Sequence, residues 1–417
     1  MTVEIISIGD ELLIGQTVNT NLTWMGQQLS LIGADVRYNT VVQDKHDDML
    51  GAFEVAMNRV DVVLVTGGLG PTKDDITKQV LCDYFDTKLV QNEEVLAHVR
   101  SFFEKRNRPM LDVNIQQAEV PEKSTVLFNE HGTAPGMWFE QEGKVLVSMP
   151  GVPYEMKSIM TSSVLGRLKD LFNPEALYYK TIQTQGIGES YIAERIASIE
   201  TKMRDEGVAL AYLPSPGGVR LRLSVKPTDD LKLAITNYIA QIGALLPQYV
   251  FGYGEVKLEE VMGMHLIAMR NTVSTVESCT GGAVAAALTS VAGSSMYFKG
   301  SIVSYSNEIK INQVGVKAQT IEDNGVVSKQ VVEEMATNGR KKLGTDYCVA
   351  LTGVAGPEGG AEENPVGTVW IGIAGPERVI AKKFQFEKDR QRNIRRSVLT
   401  ALNLLRCELM KINIEKS

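Results

Sequence analysis

Histidine is scarce in this chain: His46, His98, His131 and His265 are the four present, and beyond residue 255 there is only His265. That residue shares a helical spacing with the apolar Val261, Met262, Leu266 and Met269, which reads as a helix face, so a nucleophile in this region needs another base. Cysteine is as sparse. Cys82, Cys279, Cys348 and Cys407 are scattered without a Cys-x-x-Cys pair, which points to reduced thiols and excludes a disulfide framework or structural zinc. No apolar run approaches the roughly 20 residues that span a bilayer, and no Lys or Arg precedes Arg37, so a secretory leader lacks its basic start. A cytoplasmic chain without a membrane partner is expected. Positive charge is not in excess either: 43 basic against 50 acidic residues give a net charge of -7. That balance argues against direct nucleic-acid binding and leaves any anionic ligand dependent on local donors.

What is present is ordinary soluble composition, 44% apolar and 22% charged, over 417 residues, enough for two or three domains. The first third alternates strands and helices, the pattern of a parallel α/β sheet covered on both faces: a strand over 3–8, a helix opened by Asn19 or Thr20 and closed by Gly33, strands over 36–42 and 60–66, and a strand over 145–149. Asn173-Pro174 marks a boundary, after which residues 175–252 read as a small α+β unit, and Gly252-Tyr253-Gly254 marks a second. The expected architecture is therefore two α/β domains, 1–172 and 254–417, joined by an α+β domain over 173–253.

In the last domain the strand 273–277 runs into Ser278-Cys279-Thr280-Gly281-Gly282 and then an Ala-rich helix. Ser278 stands at the bend. Its hydroxyl can attack a carbonyl while amides around Thr280 to Gly282 stabilise the oxyanion, or it can merely cap the helix. Cys279, the intrinsically better nucleophile, is a rival. Tyr305-Ser306-Asn307-Glu308-Ile309-Lys310 supplies a candidate base, since a lysine whose pKa is lowered by burial can take a serine proton. Tyr305 is a candidate relay between the two. Gly353, Ala355 and Gly356 in Thr352-Gly-Val-Ala-Gly-Pro357 permit close backbone approach to a ligand, the following loop 358–367 can fold over a site, and Arg390 in Lys388-Asp389-Arg390 can hold a phosphate or carboxylate.

These four ordered motifs, ESCTGG, YSNEIK, TGVAGP with its GTVW strand, and KDRQ, resemble the nicotinamide-nucleotide amidase family that forms the C-terminal half of CinA proteins. The resemblance implies hydrolysis of nicotinamide mononucleotide to nicotinate mononucleotide and ammonia without a cofactor. It implies Ser278 as nucleophile, Lys310 as base, Tyr305 as assisting residue and Arg390, with Thr280, Gly281, Gly282, Gly353, Ala355 and Gly356, as the substrate-binding set.

The N-terminal domain carries Thr66-Gly67-Gly68-Leu69-Gly70-Pro71-Thr72-Lys73-Asp74-Asp75 after a buried strand. Glycine backbones there can cradle an anion, and adjacent carboxylates can hold a divalent cation, though Asp75 can equally cap the next helix. With Gly9-Asp10-Glu11, Asn19-Thr20-Asn21, Gly132–Gly136 and Pro150–Met156 the segment resembles the molybdopterin-binding fold of the CinA N-terminal domain. That resemblance implies ADP-ribose pyrophosphatase activity with a Mg-like divalent metal held by Asp10, Asp74 or Asp75. It implies ligand contacts from Gly67, Gly68, Gly70, Thr72, Asn19 and Asn21. In the middle unit Gly186-Ile187-Gly188-Glu189 lacks the spacing of a nucleic-acid-clamping GXXG loop and carries an acid, so a KH reading is set aside for a spacer and homodimer element. The expectation is a bifunctional hydrolase of pyridine-nucleotide recycling. The alternatives are an amidase with a noncatalytic pterin- or nucleotide-binding N-terminal domain, and an adaptor of DNA uptake or damage response.

Overall fold

The computed structural model describes residues 1–72, 75–215 and 217–413. The chain divides into two compact units, Met1–Leu177 and Tyr178–Ser417.

In the first unit a six-stranded sheet has the order Asp35–Val42, Thr2–Ile8, Val62–Thr66, Lys144–Met149, Gly136–Gln141, Thr125–Leu127. Alternate residues of its strands enter two separate cores. Ile5 and Leu64 pack with Met25 and Leu29 of the helix Thr20–Leu31, whereas Ile6 and Val65 pack with Phe53 of the helix His46–Arg59 and Leu81 of the helix Thr77–Tyr84. Every residue of Val62–Thr66 is buried, as a strand covered on both faces requires. The sheet is not wholly parallel as expected. The first four strands are parallel, but Gly136–Gln141 runs antiparallel to Lys144–Met149. A two-residue turn at Glu142 (φ 53°) and Gly143 (φ 78°) joins them, since left-handed backbone at both turn positions matches the strand twist.

The second unit opens with the sheet Ala209–Ser215, Gly218–Val225, Tyr178–Thr184, Val250–Tyr253, all antiparallel. Burial in Gly218–Val225 alternates strictly, sending Leu221 and Leu223 into a core with Ile196 of the helix Glu189–Asp205 and Ile235 and Ile242 of the helix Asp229–Leu245. The small α+β pattern is thus present, with a fourth strand reaching Tyr253.

The rest of this unit is a five-stranded sheet in the order Phe298–Val303, Val273–Glu277, Tyr347–Gly353, Thr368–Ala374, Val379–Gln385. The first three are parallel and the last two antiparallel. Val349 and Leu351 face the helices Leu258–Ala268 and Arg390–Leu409, while Cys348 and Ala350 face the helix Lys329–Leu343. Among the described residues no helix is long and apolar enough to cross a membrane.

Candidate functional site

Register explains why motifs dozens of residues apart meet in the second unit. Glu277 pairs with both Val303 and Leu351 in parallel ladders, so the three strands end on one edge and release Ser278, the 304–310 segment and Val354–Gly356 side by side. Because Thr368 pairs with Gln385, the antiparallel hairpin returns the chain to that same edge, where Asp389 caps the helix that begins with Arg390. Together they line a cavity of about 340 Å³ that contains Ser278, Lys310, Tyr305, Gly353, Ala355 and Arg390. A larger cavity of about 820 Å³ in this unit, bordered by Phe251 and Arg395, contains neither Ser278 nor Lys310. Chemistry rather than size decides between them.

Ser278 is held at the end of its strand by its N–H, which donates to the Leu351 carbonyl at 3.1 Å. Lys310 reaches it from a widened helical turn, Lys310–Val314, of the kind often found at functional sites. The Lys310 Nζ lies 3.0 Å from Ser278 Oγ and donates to the Ser304 carbonyl at 2.8 Å. Its side chain is 1% exposed, and among the described residues no carboxylate pairs with it. Burial lowers its pKa from the ordinary lysine value, the buried neighbour Cys279 opposing the shift. Cys279 is also buried and its thiol is pushed up to about 12, so it is protonated and a poor nucleophile at neutral pH.

Of the expected oxyanion donors, the two glycine amides are engaged elsewhere. Gly281 (φ 63°) and Gly282 (φ 101°) provide the left-handed bend, but the Gly281 N–H donates to the Ser278 carbonyl and the Gly282 N–H to Glu277. Glu277 is fully buried. Its carboxylate accepts from the Thr280 hydroxyl at 2.7 Å and from the N–H groups of Gly282, Val284 and Ala285 at 3.1, 3.0 and 2.8 Å. It satisfies the donors at the helix start that would otherwise attract an external anion. Thr280 is buried in this network and does not line the cavity. Cys279 and Thr280 are left with backbone N–H groups that bond no other described residue.

Tyr305 is not a relay between serine and lysine. It is 61% exposed, and its hydroxyl accepts from Arg390 at 2.9 Å, while Arg390 also donates to the Gly356 carbonyl at 2.8 Å. Both line the cavity, as a pair at its mouth. Glu277 and the Ser304 carbonyl are the contributors that sequence reasoning missed. The only signal was the glutamate immediately before the bend, where an acid can cap the helix that follows.

In the first unit the parallel strands also end on one edge, and the strand order, with Thr2–Ile8 between Asp35–Val42 and Val62–Thr66, places a crevice beside the ends of Thr2–Ile8 and Val62–Thr66. A cavity of about 330 Å³ beside the loop that follows Val62–Thr66 is lined by Gly70, Thr72 and Asp75, together with Lys78 and Glu119. The other expected contacts do not line it. Asn19 caps its helix by accepting from the Leu22 N–H at 3.0 Å, and Gly67 and Gly68 are held inward, the Gly67 carbonyl accepting from the Thr77 hydroxyl at 3.1 Å. Asn21 Nδ2 donates to Thr66 Oγ1 and the Gly151 carbonyl, and its buried Oδ1 has no partner among the described residues.

Of the expected metal ligands, the described Asp10 and Asp75 are not part of an assembled metal site. Asp75 accepts from the Thr72 N–H at 3.0 Å and from the Thr72 hydroxyl, Asp10 is exposed, and Asp74 lies outside the described residues. Burial first, and then Asp10, raise the carboxyl of Asp44 nearby. No group of three histidine, cysteine or acidic side chains able to hold a metal occurs among the described residues.

Comparison with known proteins agrees with the arrangement domain by domain. Residues 4–170 match the probable molybdopterin binding domain family, residues 179–252 the damage-inducible protein CinA KH domain, and residues 255–409 the CinA C-terminal domain. The middle match corrects the dismissal of a KH reading. The fold is carried by the packing of the sheet on its two helices, whereas the missing GXXG loop bears only on clamping nucleic acid. A solved structure, the protein CinA with unknown function from Thermoplasma acidophilum, is 34% identical with a TM-score of 0.37, covering 41% of this chain and 97% of that one. A CinA-like protein of Cytophaga hutchinsonii is 43% identical and covers 98% of both chains. One from Flavobacterium psychrophilum is 45% identical, covering 99% of this chain and 99% of that protein. With three domain families matched in order and full-length relatives at this identity, the chain belongs to the CinA family.

Proposed function

We propose that the C-terminal site hydrolyses the carboxamide of nicotinamide mononucleotide, giving nicotinate mononucleotide and ammonia, and that the N-terminal unit cleaves ADP-ribose. The observation that carries the first reading is the buried Lys310 amine 3.0 Å from the Ser278 hydroxyl, in a domain whose one histidine, His265, lies outside the cavity.

The reaction follows from that pair. The Ser304 carbonyl holds one N–H of the amine, which leaves the nitrogen lone pair of neutral Lys310 available to the serine proton. As Ser278 Oγ bonds to the carboxamide carbon, Lys310 takes the hydroxyl proton, and the carbonyl oxygen gains the charge that the open amide of Cys279, which lines the cavity, can receive. Lys310 then returns the proton to the departing nitrogen, the C–N bond breaks, and ammonia leaves a nicotinate ester on Ser278. Water, deprotonated by Lys310, attacks that ester and restores the serine. Arg390, oriented by Gly356 and Tyr305, is the cation at the mouth for the substrate phosphate. Purified full-length chain incubated with nicotinamide mononucleotide in EDTA is expected to release ammonia; a folded sample that releases none refutes the reading.

For the N-terminal unit the support is the match of residues 4–170 to the probable molybdopterin binding domain family and the cavity walled by Gly70–Thr72, in the loop that follows the strand Val62–Thr66. A divalent-metal requirement belongs to this reading and is checked by assaying AMP release from ADP-ribose with and without EDTA. The KH match favours one further reading, nucleic-acid binding by residues 179–252. A gel shift with single-stranded DNA or RNA at physiological salt tests it, and no shift is expected because the loop carries Glu189.

A further inference from the structure

Lys78 is a second buried lysine, and the mechanism above does not use it. It occupies the first turn of the helix Thr77–Tyr84 and is 9% exposed. Its Nζ donates to the Gln117 carbonyl at 2.9 Å and to the Glu119 carbonyl at 2.7 Å. The residue nevertheless lines the cavity formed by Gly70, Thr72 and Asp75, and among the described lining residues it is the only cation.

We propose that this cavity receives the diphosphate of its nucleotide ligand on the amine of Lys78, which serves as an anion contact only when protonated. The proposal rests on the reading of the N-terminal unit as an ADP-ribose site. Two carbonyls occupy two N–H groups whatever the charge of the amine. The remaining position is an N–H donor in the ammonium form and a lone pair in the neutral form, and only the donor can meet a phosphate oxygen. A surface lysine would stay charged throughout the working pH range, but burial lowers this one to about 8. The groups facing it are Glu119 on the adjoining strand, which pulls the value up, Cys82 on its own helix, whose thiol burial raises, and Asp75 across the cavity, whose carboxylate is tied to Thr72. None of these groups supplies a positive charge, so a bound diphosphate finds its counter-charge on Lys78 and draws a proton onto it.

The alternative is that Lys78 is a clamp joining the helix to residues 117–119. The two are separated by titrating ADP-ribose into the full-length chain in EDTA at pH 7, 8 and 9. Wild-type affinity is expected to be about tenfold weaker at pH 9 than at pH 7, with proton uptake of about half a proton per site on binding at pH 8. Lys78→Arg, which keeps a fixed charge and donors for both carbonyls, is expected to bind with no pH dependence and no uptake. Lys78→Met is expected to lose binding while its ammonia release from nicotinamide mononucleotide is unchanged. A flat wild-type profile, absence of wild-type binding, or a Lys78→Met protein that binds like wild type overturns the proposal. Cleavage of ADP-ribose is scored separately with Mg²⁺: binding with this pH profile but no cleavage removes the hydrolase reading alone, and cleavage with a flat profile removes the Lys78 assignment alone.

Discussion

Replacing Ser278 by alanine is expected to lower deamidation by more than about 10³-fold, whereas Cys279→Ala retains most of it, because a thiol held near 12 supplies almost no thiolate at neutral pH. Ammonia release from the two variants decides between the neighbouring nucleophiles. Lys310 makes its own demand on pH. The active form is the neutral amine, so kcat/KM rises with pH through the pKa of Lys310 in the free enzyme, which burial sets below the ordinary lysine value of 10.5. Stability follows the same sign: between the lowered folded value and 10.5 the unfolded chain binds more protons, so unfolding free energy rises with pH across that window. Lys310→Arg cannot supply the neutral form and is expected to be inactive at every pH tested. Glu277→Gln places an amide donor against a set of N–H and O–H donors. It is expected to cost about 1–3 kcal/mol of stability and to reduce kcat while leaving the pH limb of Lys310 in place, read from a denaturant melt and a pH–rate profile.

At the scale of elements, the final helix begins with Arg390, which lines the cavity and is the cation proposed for the substrate phosphate. Asp389 caps it by accepting from the Arg392 N–H at 2.7 Å, so Asp389→Ala is expected to destabilise the helix by about 1 kcal/mol and to raise KM for nicotinamide mononucleotide more than it lowers kcat. Initial-rate kinetics measure that split. What the sequence discloses and what it conceals also divide at this scale. The strand Val62–Thr66 announces itself by near-continuous apolar character, and Ser278 and Lys310 stand out because a domain with one histidine has few other sources of a base. The Tyr305–Arg390 pair, 85 residues apart, depends on where a loop and a helix start converge, which no local pattern encodes. The antiparallel hairpin 136–149 escapes for another reason: its turn, Glu142-Gly143, is not one of the strongest hairpin dipeptides. Two of the expected oxyanion donors are misplaced because glycines signal backbone freedom but not which acceptor their amides meet, and here Glu277 takes the Gly282 amide.

Across the whole molecule the two candidate sites lie in separate compact units and share no residue. Ser278→Ala in the full-length chain is therefore expected to abolish ammonia release while AMP release from ADP-ribose persists, and EDTA to do the reverse. Joint loss in both experiments would contradict independence. The parallel pairing of Val273–Glu277 with Phe298–Val303 and Tyr347–Gly353 has a kinetic corollary. None of the three strands can bring serine and amine together until its neighbours have zipped alongside, and such non-local pairing is slow. Recovered ammonia release during refolding is thus a reporter of completed strand assembly, and it should trail the return of helical circular dichroism rather than accompany it.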